Sequence, residues 1–128
     1  MKIGRITACV QVRKDFGKCF DFYTEKLGLV PIHGDRNGPH TTFANCKDGE
    51  PFFAITEATY NDEGRSESSG ALAAVFHTTE FDAVYKEWAE AGVEFIDKQV
   101  MSGEGWSFNI AIFSDTEGNP LSLEDGGV

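Results

Sequence analysis

The sequence predicts an α+β fold made of two tandem βαβββ modules, and three observations carry that prediction. Phe16, Cys19, Phe20, Tyr23 and Leu27 fall at i, i+3, i+4, i+7 and i+11, the spacing that gathers side chains on one face of an α-helix. Phe81, Val84, Tyr85 and Trp88 repeat it. Phe16 and Phe81, Phe20 and Tyr85, and Tyr23 and Trp88 each lie 65 positions apart in a chain of 128, a period of half the protein that marks a duplicated module. Each helix is preceded by one β-rich run and followed by three, with turn clusters between them.

In chain order, residues 3–13 carry Ile3, Ile6, Val10 and Val12 and read as the first strand. Asp15 stands where a side-chain oxygen can accept from the free amides of a helix start. Gly28 ends that helix, because glycine enters the left-handed conformation at little steric cost. Residues 29–33 form a second strand, closed by the turn cluster at 34–39. Residues 40–46 form a third, and Asp48 and Gly49 make a hairpin turn into the fourth at 51–57. The polar, Gly/Ser-rich residues 61–70 read as a linker between module one (1–60) and module two (71–128) of a single domain. Module two opens with a strand at 71–78. Thr79 and Asp82 then have the spacing of a capping box, and Gly92 closes the second helix as Gly28 closes the first. Strands follow at 93–100, 106–113 and 120–124, with turns at 102–105 and 115–119.

A chain of this length buries about two thirds of its extended surface on folding and holds a real core. Eleven basic against 21 acidic residues give a net charge of −10, which repels phosphate backbones and anionic lipid. The expected partners therefore include no nucleic acid and no membrane, and a neutral or cationic small molecule is favoured. No window approaches the roughly 18 apolar residues of a membrane span. Cys9, Cys19 and Cys46 have neither disulfide nor zinc spacing and are expected to be buried thiols of a cytoplasmic protein.

Phe22-Tyr23-x-x-x-Leu27-Gly28-Leu29 in module one, with Asp115-x-x-Gly118-Asn119-x-Leu121-x-Leu123-Glu124 near the end, resembles the vicinal oxygen chelate superfamily of glyoxalase I, bleomycin-resistance proteins, extradiol dioxygenases and fosfomycin-resistance enzymes. The resemblance spans nearly the whole chain. It implies the glyoxalase/bleomycin-resistance fold, in which the sheets form half-barrels around a cleft, and a homodimer whose clefts draw on both chains. It also implies a divalent metal held by His and Glu from the first and last strand of each module. Anchoring on the two helix starts puts the first and third positions at or beside Thr7 and Ala73, the end of the last strand of module one gives Glu57, and counting from Asp115 and Gly118 gives Ser122. One carboxylate without an imidazole falls short of the three or four ligands such a site needs, so no metal and no cofactor are expected.

His33, His40 and His77 lie on separate strands, and alternation places His77 on the face of Ala73 and Val75, the expected cleft. Glu57 shares a face with Ile55 and Phe53; it reads as a cation ligand, as a general base with a raised pKa, or as a rim carboxylate in solvent. Tyr23 and Trp88, on the helix stripes, read as packing residues. Trp106 follows Gly103-Glu104-Gly105 at the mouth of a strand, where an indole can stack on a flat ligand, with edge packing or a dimer interface as alternatives. Phe43, Phe52, Phe53 and Phe108 suggest a phenylalanine-rich interior suited to an apolar pocket. The ligand-binding candidates are thus Glu57, Trp106, His77, Phe53, Phe43 and Ser122, and no catalytic residue is assigned. The expected function is metal-independent binding of a small molecule, such as sequestration of an antibiotic or another planar cationic compound. A lyase, isomerase or dioxygenase-type enzyme with an atypical or absent metal site is the alternative, and an interaction module with a filled cleft is a third reading.

Overall fold

The computed structural model describes residues 3–4, 6–58 and 72–126. β1 (Ala8–Val12) leads into α1 (Phe16–Asp21), whose first turn Asp15 caps by accepting from the Lys18 amide at 3.0 Å. The helix then widens into a π-helical turn over Phe22–Lys26, with the Leu27 amide donating to the Phe22 carbonyl. That turn places both Phe22 and Tyr23 in the core. Gly28, at φ 77°, turns the chain away. β2 (Val30–His33), β3 (His40–Ala44) and β4 (Phe53–Glu57) complete a four-stranded sheet of order β1-β4-β3-β2. β5 (Ala74–His77), α2 (Phe81–Glu90), β6 (Phe95–Gly103), β7 (Trp106–Ser114) and β8 (Pro120–Glu124) build the second sheet with the matching order β5-β8-β7-β6. The fold is thus α+β, with the duplicated βαβββ arrangement read from the sequence.

Some local expectations need correction. The helix over Phe81–Glu90 starts at Glu80, which makes no side-chain cap, so the capping box of Thr79 and Asp82 does not form. Thr78 Oγ instead accepts from the Glu80 amide at 3.0 Å, because the helix begins one residue later than the spacing suggested. β6 runs on to Gly103, which leaves only Glu104 and Gly105 to turn the chain into β7. Of the three cysteines Cys19 is buried, whereas Cys9 and Cys46 are exposed. The linker at 61–70 lies outside the described residues.

One hydrophobic core joins the two halves. Tyr23 packs against Phe53 and Phe43, with ring centroids 4.8 and 5.9 Å away; Phe53 meets Phe76 at 5.4 Å, and Phe76 meets Trp88 at 5.9 Å. Polar contacts cross the same boundary. The Tyr23 hydroxyl donates to Asp115 at 2.6 Å, Trp88 Nε1 donates to the Leu27 carbonyl, and the Glu117 carboxylate accepts the backbone amides of Arg13, Lys14 and Asp15. Burial, reinforced by the Asp115 charge, pushes the Tyr23 phenol and the Cys19 thiol far above their ordinary pKa values, so both stay protonated.

Two surface carboxylates make the fold sensitive to acid. Hydrogen bonds from Arg36 hold Asp21 below the usual carboxylate range, and the side chain and backbone N–H of Asn109 do the same for Asp125. A carboxyl group with a depressed folded pKa stabilises the fold above its unfolded pKa and loses that contribution as pH falls through the folded value. The urea midpoint is therefore expected to fall on acidification below about pH 4. The double variant Arg36→Gln/Asp125→Asn should be less stable at pH 7 and lose less on acidification, as urea titrations at pH 7 and pH 3 will show.

Candidate functional site

Strand alternation gives the second sheet two faces of different character. Ala74, Phe76, Ala111, Phe113, Leu121 and Leu123 are buried in the core. The intervening residues point to the open face. On it Val75 stands opposite Ser122, His77 opposite Glu124, Ile110 opposite Glu124 on the other side, and Met101 opposite Phe108. Ser122 Oγ donates to Glu124 Oε2 at 2.9 Å. At the far end Trp106, 55% exposed, stacks on Phe108 with centroids 6.0 Å apart and planes 21° from parallel.

Two glycines make this aromatic platform. Gly103 pairs with Trp106 across the β6–β7 hairpin, and a Cβ there would collide with the indole. A Cβ on Gly126 would lie 2.6 Å from Phe108 Cγ. The rings thus lie over backbone that carries no side chain. Glu124 stands at the level of Ile110, four residues along β7 from Trp106, or about 13 Å at the rise of a strand. An aromatic surface and a carboxylate therefore share one face at a separation that an extended planar molecule spans.

Of the sequence candidates, Trp106, His77 and Ser122 lie on this side of the sheet, and Ser122 is fully buried there. Glu57, Phe43 and Phe53 do not. Phe53, Ile55 and Glu57 do share a face, but it is the core face under the helices: Phe43 and Phe53 are fully buried against Tyr23, and Glu57, paired with Val12 at the strand's end, is exposed. Glu57 ends in a small cavity of about 120 Å³ beside Lys14 and Phe16. The open face of β4 instead shows Ala54 and Thr56, the latter between Gln11 and His40. The sequence candidates left out Glu124, weighed only as a metal ligand under a register slip, and the pairing of Phe108 with Trp106. Two-residue periodicity from Ser122 and from Trp106 holds both signals.

The sequence matches the family described as the Glyoxalase/Bleomycin resistance protein/Dioxygenase superfamily over residues 3–123. The chain belongs to this superfamily. Solved structures agree in fold. A member of the same superfamily from Sphaerobacter thermophilus DSM 20745 is 22% identical, with 96% of this chain and 98% of that one covered and a TM-score of 0.69. FosX from Listeria monocytogenes, a genomically encoded fosfomycin resistance protein, is 20% identical over 100% and 97% of the two chains, with a TM-score of 0.67. TioX from Micromonospora sp. ML1 is 12% identical over 96% and 99%, with a TM-score of 0.65. No curated protein matches significantly.

Superfamily membership makes a divalent metal the group to test against these residues. The open-face positions nearest the expected ligand sites hold Thr56, Ser122 and, by alternation from Cys9 and Val75, Thr7 and Ala73. Among the described residues no three His, Cys, Asp or Glu side chains come together to hold a metal ion. Glu124 and His77 alone leave the donor set short, so the residues present do not fit this superfamily's metal site. Among the described residues no helix is long and apolar enough to cross a membrane.

Proposed function

We propose that this superfamily member binds a planar cationic or neutral small molecule on the open face of its sheets without a metal. The observation that carries the reading is the Trp106–Phe108 stack, seated over Gly103 and Gly126 on the same face as the Glu124 carboxylate. A flat ring gains dispersion and cation–π attraction on the indole while a cationic group on the same molecule meets Glu124, and each contact contributes on the order of 1 kcal/mol. The similar fold of a fosfomycin resistance protein makes antibiotics the first ligand class to test. Exposed apolar side chains at Val75, Met101 and Trp106 support a homodimer in which a second copy covers the face. The net charge of −10 supports a role without nucleic-acid or membrane partners.

Titration with ethidium and with bleomycin tests the reading. Binding of both compounds is measured by isothermal titration calorimetry, which needs no indole reporter, and the loss of quenching in Trp106→Phe assigns the wild-type fluorescence signal to Trp106 rather than Trp88. Trp106→Ala is expected to weaken binding at least about tenfold while leaving the urea midpoint unchanged, because the indole is exposed. Binding that is absent in wild type, or unchanged in the variant, overturns the reading. The enzyme alternative rests on His77 standing opposite Glu124, a pair suited to proton transfer. Elemental analysis of protein purified without chelator addresses the metal: a stoichiometric divalent ion would overturn the metal-free proposal.

A further inference from the structure

The duplicated fold creates two equivalent seams between its halves, and they are filled differently. At the first, the turn between β7 and β8 presses on the loop entering α1. Glu117 accepts the amides of Arg13, Lys14 and Asp15, Asn119 Nδ2 donates to the Gln11 carbonyl, and Asp115 accepts from the Tyr23 hydroxyl. At the second seam the turn between β3 and β4 faces the loop entering α2. Asn45 stands two residues beyond Phe43 as Asp115 stands two beyond Phe113, and Trp88 takes the place of Tyr23. There the indole donates to the Leu27 carbonyl instead. The amides of Thr78 and Glu80 are taken within their own half, by the Glu124 carbonyl and Thr78 Oγ. A groove of about 660 Å³ is left open, within the usual range of small-molecule sites.

Its chemistry narrows the occupant. Phe52, Phe76 and Trp88 line it as an aromatic wall, with Phe76 edge-on to both neighbours at 6.5 and 5.9 Å. The side chains of Asn45, Thr79 and Glu87 make no hydrogen bond among the described residues and border the same space. Glu87 is the one carboxylate among the described lining residues, which include no Lys or Arg, so the groove favours a cation over an anion. We propose that this seam groove is a second small-molecule site, which takes an aromatic amine with its ring against Phe52, Phe76 and Trp88 and its ammonium group at Glu87. The groove borrows Val75 and His77 from the edge of the open face, but neither Trp106 nor Phe108 lines it, so the two proposals are tested separately.

The two tryptophans of the chain separate the sites experimentally. In Trp106→Phe protein, Trp88 is the sole indole, and titration with 2-phenylethylamine is expected to change its emission saturably. The same titration with 3-phenylpropionate, of similar shape and opposite charge, is expected to give no saturable change. Glu87→Gln on this background alters an exposed helix position, which keeps the fold, and should weaken amine binding at least about threefold. Val84→Phe, which projects a ring into the groove, should abolish it. Thermal melts monitored by circular dichroism establish that both variants are folded. No saturable response to the amine, an equal response to the carboxylate, or undiminished affinity in folded Glu87→Gln would each overturn the proposal. Loss of open-face binding appears separately, as the effect of Trp106→Ala on ethidium or bleomycin.

Discussion

Asp115→Ala is expected to lower the unfolding free energy by about 3–5 kcal/mol, on the order of a 10–20 °C fall in melting temperature for a domain of this size. Asp115 is almost fully buried. Its Oδ2 accepts from the Tyr23 hydroxyl at 2.6 Å and from Asn119 Nδ2 at 2.9 Å, and its Oδ1 accepts from the amides of Glu117 and Asn119. Alanine leaves the buried phenol without its acceptor and releases the turn whose Glu117 caps the loop entering α1. Tyr23→Phe should cost less, about 1–2 kcal/mol, because Asp115 keeps its other four donors, the Cys19 thiol among them. A double-mutant cycle read by urea denaturation separates the terms. A coupling energy of about 1 kcal/mol or more is expected, and simple additivity would show that the turn, not the phenol contact, joins the halves.

Phe53→Ala is expected to cost a further class of stability, about 3–5 kcal/mol, through the cavity it opens. Phe53 touches Tyr23, Phe43 and Phe76, and so packs both halves of the chain at once. The decisive comparison is with binding. For a core residue the urea midpoint falls while the affinity of the remaining folded protein for a planar cation holds. For the ligand-lining residue that sequence reasoning expected, affinity falls while the midpoint holds. Thr56→Ala, one position along the opposite face, is expected to leave stability within about 0.5 kcal/mol of wild type.

Much of the fold was legible because it is written in short-range periodicity. The stripe from Phe16 to Leu27 and its copy from Phe81 to Trp88 mark both helices. Asp15, Gly28 and Gly92 mark three of their four ends, since capping and the left-handed turn are local chemistry. The fourth end misled: Thr79 and Asp82 have the right spacing, yet the helix starts one residue on, with Glu80 at its N-cap and Thr78 Oγ accepting from the Glu80 amide. The π-helical turn at Phe22–Lys26 left no local trace. It accompanies the burial of Phe22 and Tyr23, a demand set by contacts far away in sequence.

The candidate site was legible only in part, for a related reason. Alternation tells which residues share a face, and it correctly grouped Glu57 with Ile55 and Phe53. It cannot tell which of the two faces the helices cover. A choice made wrongly at one residue moves a whole set from cleft to core, which is what happened to Phe43 and Phe53, while Glu57 stands exposed at the end of the same strand face. Ser122 was reached by counting from Asp115 and Gly118, His77 by alternation with Ala73 and Val75, and Trp106 from the turn at Gly103-Glu104-Gly105; all three lie on the side away from Leu121, Leu123 and Phe113.

By itself, then, the amino-acid sequence determined the duplication, the order of the elements and the superfamily, since all of these rest on residue identity and spacing. Only the tertiary structure decided which sheet face is open, how Asp115 and Glu117 lock one half to the other, and that the second seam remains a groove. Those outcomes depend on side chains from opposite halves meeting in space, and a packed interface between distant segments leaves no period in either one.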